Sequence, residues 1–297
     1  MKIVVVSGGL SPERDVSLSS GSMIANALIN AGHSVALIDI YFGIPGDVEI
    51  TSLFTTVPSY HYSIPEQAPD LEAVKASRLA ASPLSGNSLI GPRVLDVCRA
   101  ADITYIALHG ALGENGQLQA TLDTFGIRYT GSGYDGSLLA MNKDLSKQLL
   151  HYHGIHTADW RTYHTGEMSI ENIITDAENA IGFPCVVKPC SCGSSIGVSI
   201  VENACALRKA LLEAQTYENS FLIEKKIVGR EFSIGVLGDQ ALPPIEIIPL
   251  QGFYDYKNKY QGGCTKEICP PDITEEEDQL LRKTALEAHR VLRLRGY

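Results

Sequence analysis

The 297-residue sequence lacks the features that assign many proteins to a class at first sight. Its seven cysteines form no CxxC pair and no cysteine–histidine zinc spacing, so we expect reduced thiols rather than a disulfide framework or a structural zinc site. No run of about 18 apolar residues is present, so no membrane-spanning helix is expected. The apolar run at residues 3–6 ends at Gly8, too early for a signal peptide, and the sequence therefore predicts a cytoplasmic protein.

Basic residues are also scarce. The 24 lysines and arginines face 34 aspartates and glutamates, and the net charge of −10 argues against nucleic acid or an anionic membrane as the main partner. The usual P-loop, which ends in glycine, lysine and serine or threonine, is absent, and this excludes a Walker-type NTPase. With 44% hydrophobic residues, the chain has the composition of a globular enzyme with two or three lobes.

The most informative feature of the sequence is one loop of small residues. Residues 188–197 (KPCSCGSSIG) follow a predicted apolar strand. Unobstructed backbone N–H groups and serine hydroxyls suit a polyanion, and Lys188 adds a point charge at the edge of the loop. A glycine–serine loop after a strand is usually only a turn, so this stretch alone does not assign nucleotide binding.

The N-terminal part predicts a βαβ unit followed by further α/β elements. Residues 3–7 form a β-branched run that is typical of a strand buried on both faces. Gly32 closes the helix that follows, and residues 35–40 predict the second strand. Beyond an insertion at residues 41–92, which contains a short predicted helix at 71–81, we expect a helix at 94–100, a strand at 103–108, a helix at 118–125 and a strand at 127–129.

The second half of the chain predicts a different, antiparallel arrangement. One helix is expected at residues 137–153, and a long C-terminal helix at 275–294 is opened by a capping box of Thr274 and Glu277. Asn203 is expected as the N-cap of a helix that ends at residue 217. The other expected elements are strands at 159–163, 185–188, 198–201, 221–226, 231–237 and 244–249, a helix at 170–180, and a polar loop at 251–271.

A second glycine pattern supports an alternative function. Residues 131–136 (GSGYDG) match the GxGxxG spacing of dinucleotide-binding proteins. The match is weak, because the pattern follows several elements and Asp159 precedes a strand instead of ending one. A Rossmann dehydrogenase is the hypothesis that rests on this segment, and it predicts binding of NADH and no binding of ATP.

Charged residues recur at strand ends, at a helix start and at loop edges in the second half. A single lysine or glutamate is usually a solvated surface charge. Here cations that suit phosphates alternate with carboxylates that suit a sugar or an adenine amine, at Lys143, Lys188, Glu224, Lys225, Glu231 and Lys259.

Eight sequence blocks between residues 11 and 260 together resemble the D-alanine–D-alanine ligases, which belong to the ATP-grasp superfamily. The insertion at residues 41–92 lies outside this resemblance. The blocks are SPERDVS at 11–17, HGALGENG at 109–116, YTGSG at 129–133, MNK at 141–143, VKP with GSSIG at 187–189 and 193–197, IEK at 223–225, GREF at 229–232 and FYDYKNKY at 253–260.

The resemblance implies an α/β and α+β multidomain fold. An N-terminal parallel α/β (preATP-grasp) domain at residues 1–133 would be followed by an ATP-grasp fold with a truncated C-terminal lobe. The central lobe, with the glycine loop, would span residues 134–217, and the incomplete C-terminal lobe would span residues 218–297. It also implies a homodimer through the N-terminal domain.

The implied reaction joins two D-alanine molecules for peptidoglycan precursor synthesis. ATP phosphorylates the carboxylate of the first D-alanine, and the amine of the second displaces phosphate from the acyl phosphate. Two anions must approach each other, so cations and N–H donors are needed at the site. The resemblance places ATP at Lys143, Lys188, Ser195 and Lys259, its adenine at Glu224, Lys225 and Ile227, and its ribose at Glu231.

The first D-alanine would be held by a different group of residues. Glu13 resembles the family's acid that pairs with the substrate ammonium, and it would be linked through Ser194 to Tyr260. His109 matches a histidine near the first substrate. Tyr260 also makes the chain similar to the dipeptide-forming members, since members that use D-lactate carry a histidine in this loop.

The sequence departs from the family pattern at its C-terminal end. The arginine for the tetrahedral intermediate and the acidic and asparagine ligands of two magnesium ions are expected beyond residue 297. A chain without these Mg²⁺ ligands would not turn over ATP normally. The alternatives are therefore a nucleotide-binding pseudoenzyme or regulatory module and, less favoured, a related ligase that uses D-serine or D-lactate as second substrate.

Overall fold

The computed structural model describes residues 1–65, 67, 69–82, 86–254, 258, 259 and 263–296. Two compact units divide the chain, Met1–Tyr134 and Asp135–Tyr297. The first boundary falls beside the predicted end of the N-terminal domain at residue 133. The division of the remainder into a central and a C-terminal lobe stays a prediction.

The first unit is built on a parallel sheet with strand order β2-β1-β3. Its strands are β1 (Lys2–Ser7), β2 (Ser34–Asp39) and β3 (Ile103–Ile106). Its helices are α1 (Arg14–Asn30), α2 (Leu71–Ala81), α3 (Val94–Arg99), α4 (Ala111–Glu114) and α5 (Gln117–Thr124), with a 3₁₀ turn at Ile50–Leu53.

Helices cover both faces of this sheet. Successive residues of β1 point to opposite faces, so β1 contributes side chains to an apolar cluster on each side. Val4 and Val6 pack into one core cluster with side chains of α3 and α5. Ile3 and Val5 pack into another cluster with side chains of α1. The continuous apolar run at residues 3–6 therefore reflects burial on both faces, as the sequence predicted.

The second unit has an antiparallel sheet with strand order β4-β7-β5-β6. Helices α8 and α9 cover one face of it, where Val187, Phe221 and Ile223 join their apolar residues in one cluster. The elements are α6 (Tyr134–Met141), α7 (Lys143–Tyr152), β4 (Trp160–His164), α8 (Ile170–Ala180), β5 (Cys185–Pro189), β6 (Ser199–Val201), α9 (Ala204–Tyr217) and β7 (Ser220–Lys225).

The remaining elements form two small sheets and a long helix. Strands β8 (Glu231–Ser233), β11 (Ile245–Pro249) and β12 (Thr265–Ile268) pair in the order β12-β11-β8, and β9 (Val236–Leu237) pairs with β10 (Gln240–Ala241). Helix α10 (Glu275–Val291) opens with the predicted capping box of Thr274 and Glu277. No helix in the described part of the chain is long and apolar enough to cross a membrane.

Four predicted elements were wrong in detail. The helix expected at 137–153 is two helices, because the Asn142 side chain accepts a hydrogen bond from the Leu145 backbone N–H and starts a new helix. The strand expected at 127–129 is reduced to a single β-bridge between Thr104 and Tyr129. The apolar side chain of Ile127 packs into the core, but this residue does not belong to a paired strand. The strand at 231–237 is interrupted, and the loop at 251–271 contains β12.

Candidate active site

A cavity of about 650 Å³ lies in the second unit, beside the glycine loop. Lining residues come from helices α6 and α7, strands β5, β6, β7 and β8, and the segments around residues 193–198 and 253–259. All eight residues predicted to bind ATP are among them: Lys143, Lys188, Ser195, Glu224, Lys225, Ile227, Glu231 and Lys259. Ser194, which was predicted to act with the substrate, also lines this cavity.

The glycine loop has a constrained backbone. Ser194 and Ser195 have φ angles of 50° and 58°, in the left-handed region that residues with a Cβ seldom adopt. Ser195 Oγ donates a hydrogen bond of 2.9 Å to the carbonyl of Tyr254. A Cβ on Gly197 would lie 2.7 Å from Pro189 Cγ, so only glycine fits where the loop returns to the sheet.

The loop is also tied down at its start. The carboxylate of Glu218, which follows α9, accepts a hydrogen bond of 2.7 Å from the Ser191 backbone N–H. From the other side, Lys143 Nζ donates to the Cys192 carbonyl at 2.6 Å, and the Lys143 backbone N–H donates to the Cys190 carbonyl at 2.9 Å. The loop therefore begins at a fixed place relative to the first turn of α7.

Lys143 brings an ammonium into the cavity at this point. Burial lowers the pKa of Lys143, and the nearby charge of Lys188 acts in the same direction, while acidic neighbours oppose the shift. Two ammonium groups that line one cavity repel each other, and a polyanion between them relieves both the repulsion and the loss of hydration. The arrangement favours a phosphate ligand.

Glu224 binds two lysines at once. Its carboxylate pairs with Lys188 through one oxygen and with Lys147 Nζ through the other, at 2.8 Å. Burial alone would raise the pKa of Glu224, but the two ammonium groups outweigh burial and lower it. The carboxylate that was predicted at the adenine site is thus engaged with lysines, and Lys147 is a residue that the sequence did not single out.

The outer edge of the cavity is more open. Lys225 and Glu231 are exposed, and 70% of the Ile227 surface is accessible to solvent. Lys259 Nζ lies 5.1 Å from the centre of the Tyr254 ring. Tyr260, predicted to complete the link between Glu13 and Ser194, lies outside the described residues.

A second polar cluster lies in the first unit and contains the predicted residues Glu13 and His109. Glu13 caps the start of α1, is 4% exposed, and its backbone N–H donates to Ser11 Oγ at 3.3 Å. Ser11 Oγ in turn donates to the His109 carbonyl at 2.9 Å. Ser20 Oγ lies 3.1 Å from His109 Nε2, and burial lowers the pKa of His109 against the opposing charge of Glu13.

The turn after β3 closes tightly around these groups. Gly110 has a φ of 77°, and a Cβ there would lie 2.7 Å from Glu13 Oε2. The Gly110 backbone N–H donates to Glu114 Oε2 at 2.9 Å. Burial, with the charge of Glu13 as a second cause, raises the pKa of Glu114 to about 7. A buried carboxylate, Glu13, and a half-buried one, Glu114, that feel each other's charge favour a nearby cation.

No group of three histidine, cysteine, aspartate or glutamate side chains within the described residues comes together as a metal site. The sequence resemblance places the ligands of the magnesium ions beyond residue 297, and no step below is derived through a metal.

Family models match almost the whole chain. The model of the D-ala D-ala ligase N-terminus matches residues 2–132, and the model of the D-ala D-ala ligase C-terminus matches residues 149–297. A D-alanine–D-alanine ligase from Lacticaseibacillus casei is 38% identical over 298 residues, which are 100% of this chain and 81% of that protein. The chain belongs to the D-alanine–D-alanine ligase family.

Other relatives and solved structures agree with this membership. A D-alanine–D-alanine ligase from Geobacter sulfurreducens is 36% identical, and the match covers 100% of this chain and 77% of that protein. The crystal structure of a D-alanine–D-alanine ligase from Bacillus anthracis has a TM-score of 0.69 and 28% identity, covering 100% of this chain and 80% of that one. The ligase from Coxiella burnetii, at 23% identity and a TM-score of 0.72, covers 100% of this chain and 78% of its own and shows the fold alone.

Within a D-alanine–D-alanine ligase fold, the sequence missed the residues that support the lysines. Lys147 follows Lys143 by four positions on α7, so helical spacing could have placed both on one face. Glu218 carries no sequence signal of its own, because its partner is a backbone N–H. The last glycine of residues 131–136 also has a structural explanation: Gly136 lies in α6, and a Cβ there would lie 2.6 Å from the Arg293 carbonyl oxygen.

Proposed function

We propose that this chain ligates two D-alanine molecules to D-alanyl-D-alanine at the expense of ATP. The observation that carries the proposal is the cavity that Lys143, Lys188 and Lys259 line in a member of the D-alanine–D-alanine ligase family. A carboxylate oxygen of the first D-alanine attacks the γ-phosphorus, and ADP leaves. The amine of the second D-alanine then attacks the acyl carbon, the amine loses a proton, and phosphate leaves.

Within the cavity, the lysines serve the phosphates. The ammonium groups of Lys143 and Lys188 offset the negative charge of the polyphosphate, which otherwise repels the substrate carboxylate. Lys259 approaches from the segment after β11, and Ser195 lies in the glycine loop. Lys225 and Ile227 hold the adenine edge, and Glu231 accepts from the ribose hydroxyls, at the open side of the cavity.

The first D-alanine is assigned to the cluster around Glu13. A buried carboxylate beside a second, half-buried acid has an electrostatic preference for an ammonium ion, which the amino acid supplies. Glu13 binds that ammonium, and His109, which Ser20 orients, lies next to it. The participation of Ser194 and Tyr260 remains a prediction from the sequence, as do the magnesium ions and the homodimer.

The test measures both products. Purified protein with ATP, Mg²⁺ and D-alanine should release phosphate and form D-alanyl-D-alanine in equal amounts, with the dipeptide identified by mass spectrometry. L-alanine is the matched control and should give neither product. The proposal fails if ATP is hydrolysed without dipeptide, or if neither product forms although ATP binds.

A further inference from the structure

Lys147 is a buried lysine that the proposed chemistry does not use. Its side chain is 11% exposed, and lysines are rarely buried unless they are paired. Lys147 Nζ lies 2.8 Å from Glu224 Oε2 and 5.1 Å from the centre of the Trp160 ring. A carboxylate and an aromatic face therefore hold this ammonium from two directions.

The aromatic face is itself fixed in place. Trp160 Nε1 donates to Asp144 Oδ1 at 2.8 Å, and Thr162 Oγ1 donates to the same oxygen at 2.7 Å. Asp144 lies in the first turn of α7, the helix that also carries Lys147. The ring of the edge strand β4 is thus locked against α7, and Lys147 has little freedom to move away from Glu224.

Lys147 is not among the residues that line the cavity, whereas its direct partner Glu224 and, through Glu224, Lys188 are. Glu224 and Lys188 are lining residues, and each of the two Glu224 oxygens pairs with one lysine. Two ammonium groups and one carboxylate leave a net charge of one positive unit. Without Lys147, Glu224 and Lys188 would form a neutral pair, and one Glu224 oxygen would lose its buried partner.

We propose that Lys147 is a positioning residue of the nucleotide site: it holds one oxygen of Glu224, so that the other oxygen fixes the ammonium of Lys188 toward the polyphosphate. This inference rests on the proposed function, because it assigns ATP to the cavity. Lys147 acts through Glu224 and does not touch the nucleotide. Lys147 therefore affects ATP affinity although its side chain does not line the cavity.

The test is a double-mutant cycle on ATP binding and kinetics. Lys147→Met should weaken ATP binding in calorimetry and raise the KM for ATP by about tenfold, with a smaller change in kcat and in the KM for D-alanine. Glu224→Gln should also weaken ATP binding, and adding Lys147→Met to it should have little further effect. Lys209→Met, an exposed lysine on α9, is the matched control and should leave both constants unchanged.

Two outcomes would overturn the proposal. Unchanged ATP affinity in a folded Lys147→Met protein is one, and additive effects of the two substitutions, as expected for a residue that only supports the fold, are the other. If Lys147→Met does not fold, Trp160→Leu provides the second variant, which should weaken ATP binding alone but not in the Glu224→Gln background. Failure of the proposed function is distinguishable, because the unsubstituted protein would then form no dipeptide.

Discussion

At the scale of single residues, the neighbouring acids Glu13 and Glu114 set a pH dependence. Glu114 lies beside Glu13, and its pKa is raised to about 7, first by burial and then by the charge of Glu13. A folded-state pKa above the ordinary value of 4.5 means that the folded protein keeps this proton to higher pH than the unfolded chain does. Its contribution to stability is therefore present below the ordinary pKa and is lost as the pH rises through about 7.

Glu114→Gln should remove this loss. Glutamine keeps the oxygen that accepts from the Gly110 backbone N–H but cannot ionise. Between about pH 5 and pH 8, the unsubstituted protein should lose unfolding free energy relative to Glu114→Gln, by an amount on the order of 3 kcal/mol. Thermal or urea unfolding of both proteins across that pH range checks this, with the exposed Glu167→Gln as control. Parallel pH profiles of the unsubstituted and Glu114→Gln proteins would contradict it.

At the scale of elements, two helices offer a matched comparison. Asn142 starts α7 by accepting from the Leu145 N–H at 3.1 Å, and Asn203 starts α9 by accepting from the Ala206 N–H at 3.0 Å. The caps are equivalent in geometry. Of these two helices, α7 begins with a residue that lines the cavity, Lys143, and α9 does not.

Alanine at either cap should cost a similar amount of stability, about 1 kcal/mol. Only Asn142→Ala should also weaken ATP binding, because the first turn of α7 presents Lys143 to the glycine loop. Melting temperatures and ATP titrations of both variants check the prediction. Equal ATP affinities for Asn142→Ala and Asn203→Ala would mean that the position of Lys143 does not depend on the helix start.

Helix α2 in the insertion is held by one arginine. Arg78 is 2% exposed, its guanidinium lies 4.2 Å from the centre of the Tyr41 ring, and Nη2 donates to the Ile90 carbonyl at 3.3 Å. It also donates to the carbonyl of Ser88. Within the insertion, whose role the sequence left open, Arg78 therefore joins α2 to Tyr41 at one end and to residues 88–90 at the other, as a buried cation without a carboxylate partner in the described contacts.

Arg78→Ala should destabilise the first unit by roughly 2–4 kcal/mol, because it leaves a void and removes the donor to two carbonyls. The control is Lys75→Ala on the same helix, which removes an exposed, solvent-screened pair with Glu72 and should cost much less stability than Arg78→Ala. Urea unfolding measures both. Equal losses in the two variants would show that Arg78 does not anchor the helix.

At the scale of the whole molecule, all seven cysteines are free thiols, in line with the sequence. Burial raises the pKa of Cys98 and Cys185 to about 11 and that of Cys190 to about 12, whereas Cys205 and Cys269 are exposed. The thiolate is the reactive form, so reactivity should follow this division.

A brief pulse of iodoacetamide at about pH 8 should label Cys205 and Cys269 first and leave Cys98, Cys185 and Cys190 unlabelled. Peptide mass spectrometry gives the extent of labelling at each site. Cys192 lines the cavity beside the glycine loop, so ATP should slow its labelling without affecting Cys205 if the proposed site is correct. Rapid labelling of the three buried thiols in the folded protein would contradict the described packing.

The sequence predicted the elements whose pattern is local and missed those that depend on distant partners. The β-branched run of β1 and the caps Asn203 and Thr274 carry their own signals, and these elements are confirmed. Strand β12 was missed, because its residues carry no local strand pattern and it is defined by its pairing with β11. The lysines of the cavity were predicted from the sequence blocks. The role of Lys147 depends on its contact with Glu224 of β7, which the structure shows and the sequence does not.

The pairing of Glu224 with two lysines also bears on how the antiparallel sheet finds its alignment. Glu224 lies opposite Val186 on β5 and opposite Trp160 on β4. A shift of β7 by one residue would turn Glu224 toward the apolar face and bring Ile223 or Lys225 opposite these positions. Such a shift would bury a carboxylate among apolar side chains and leave Lys147 without its partner. The contacts of Glu224 with Lys147 and Lys188 therefore help to select the observed register of β7 against β4 and β5.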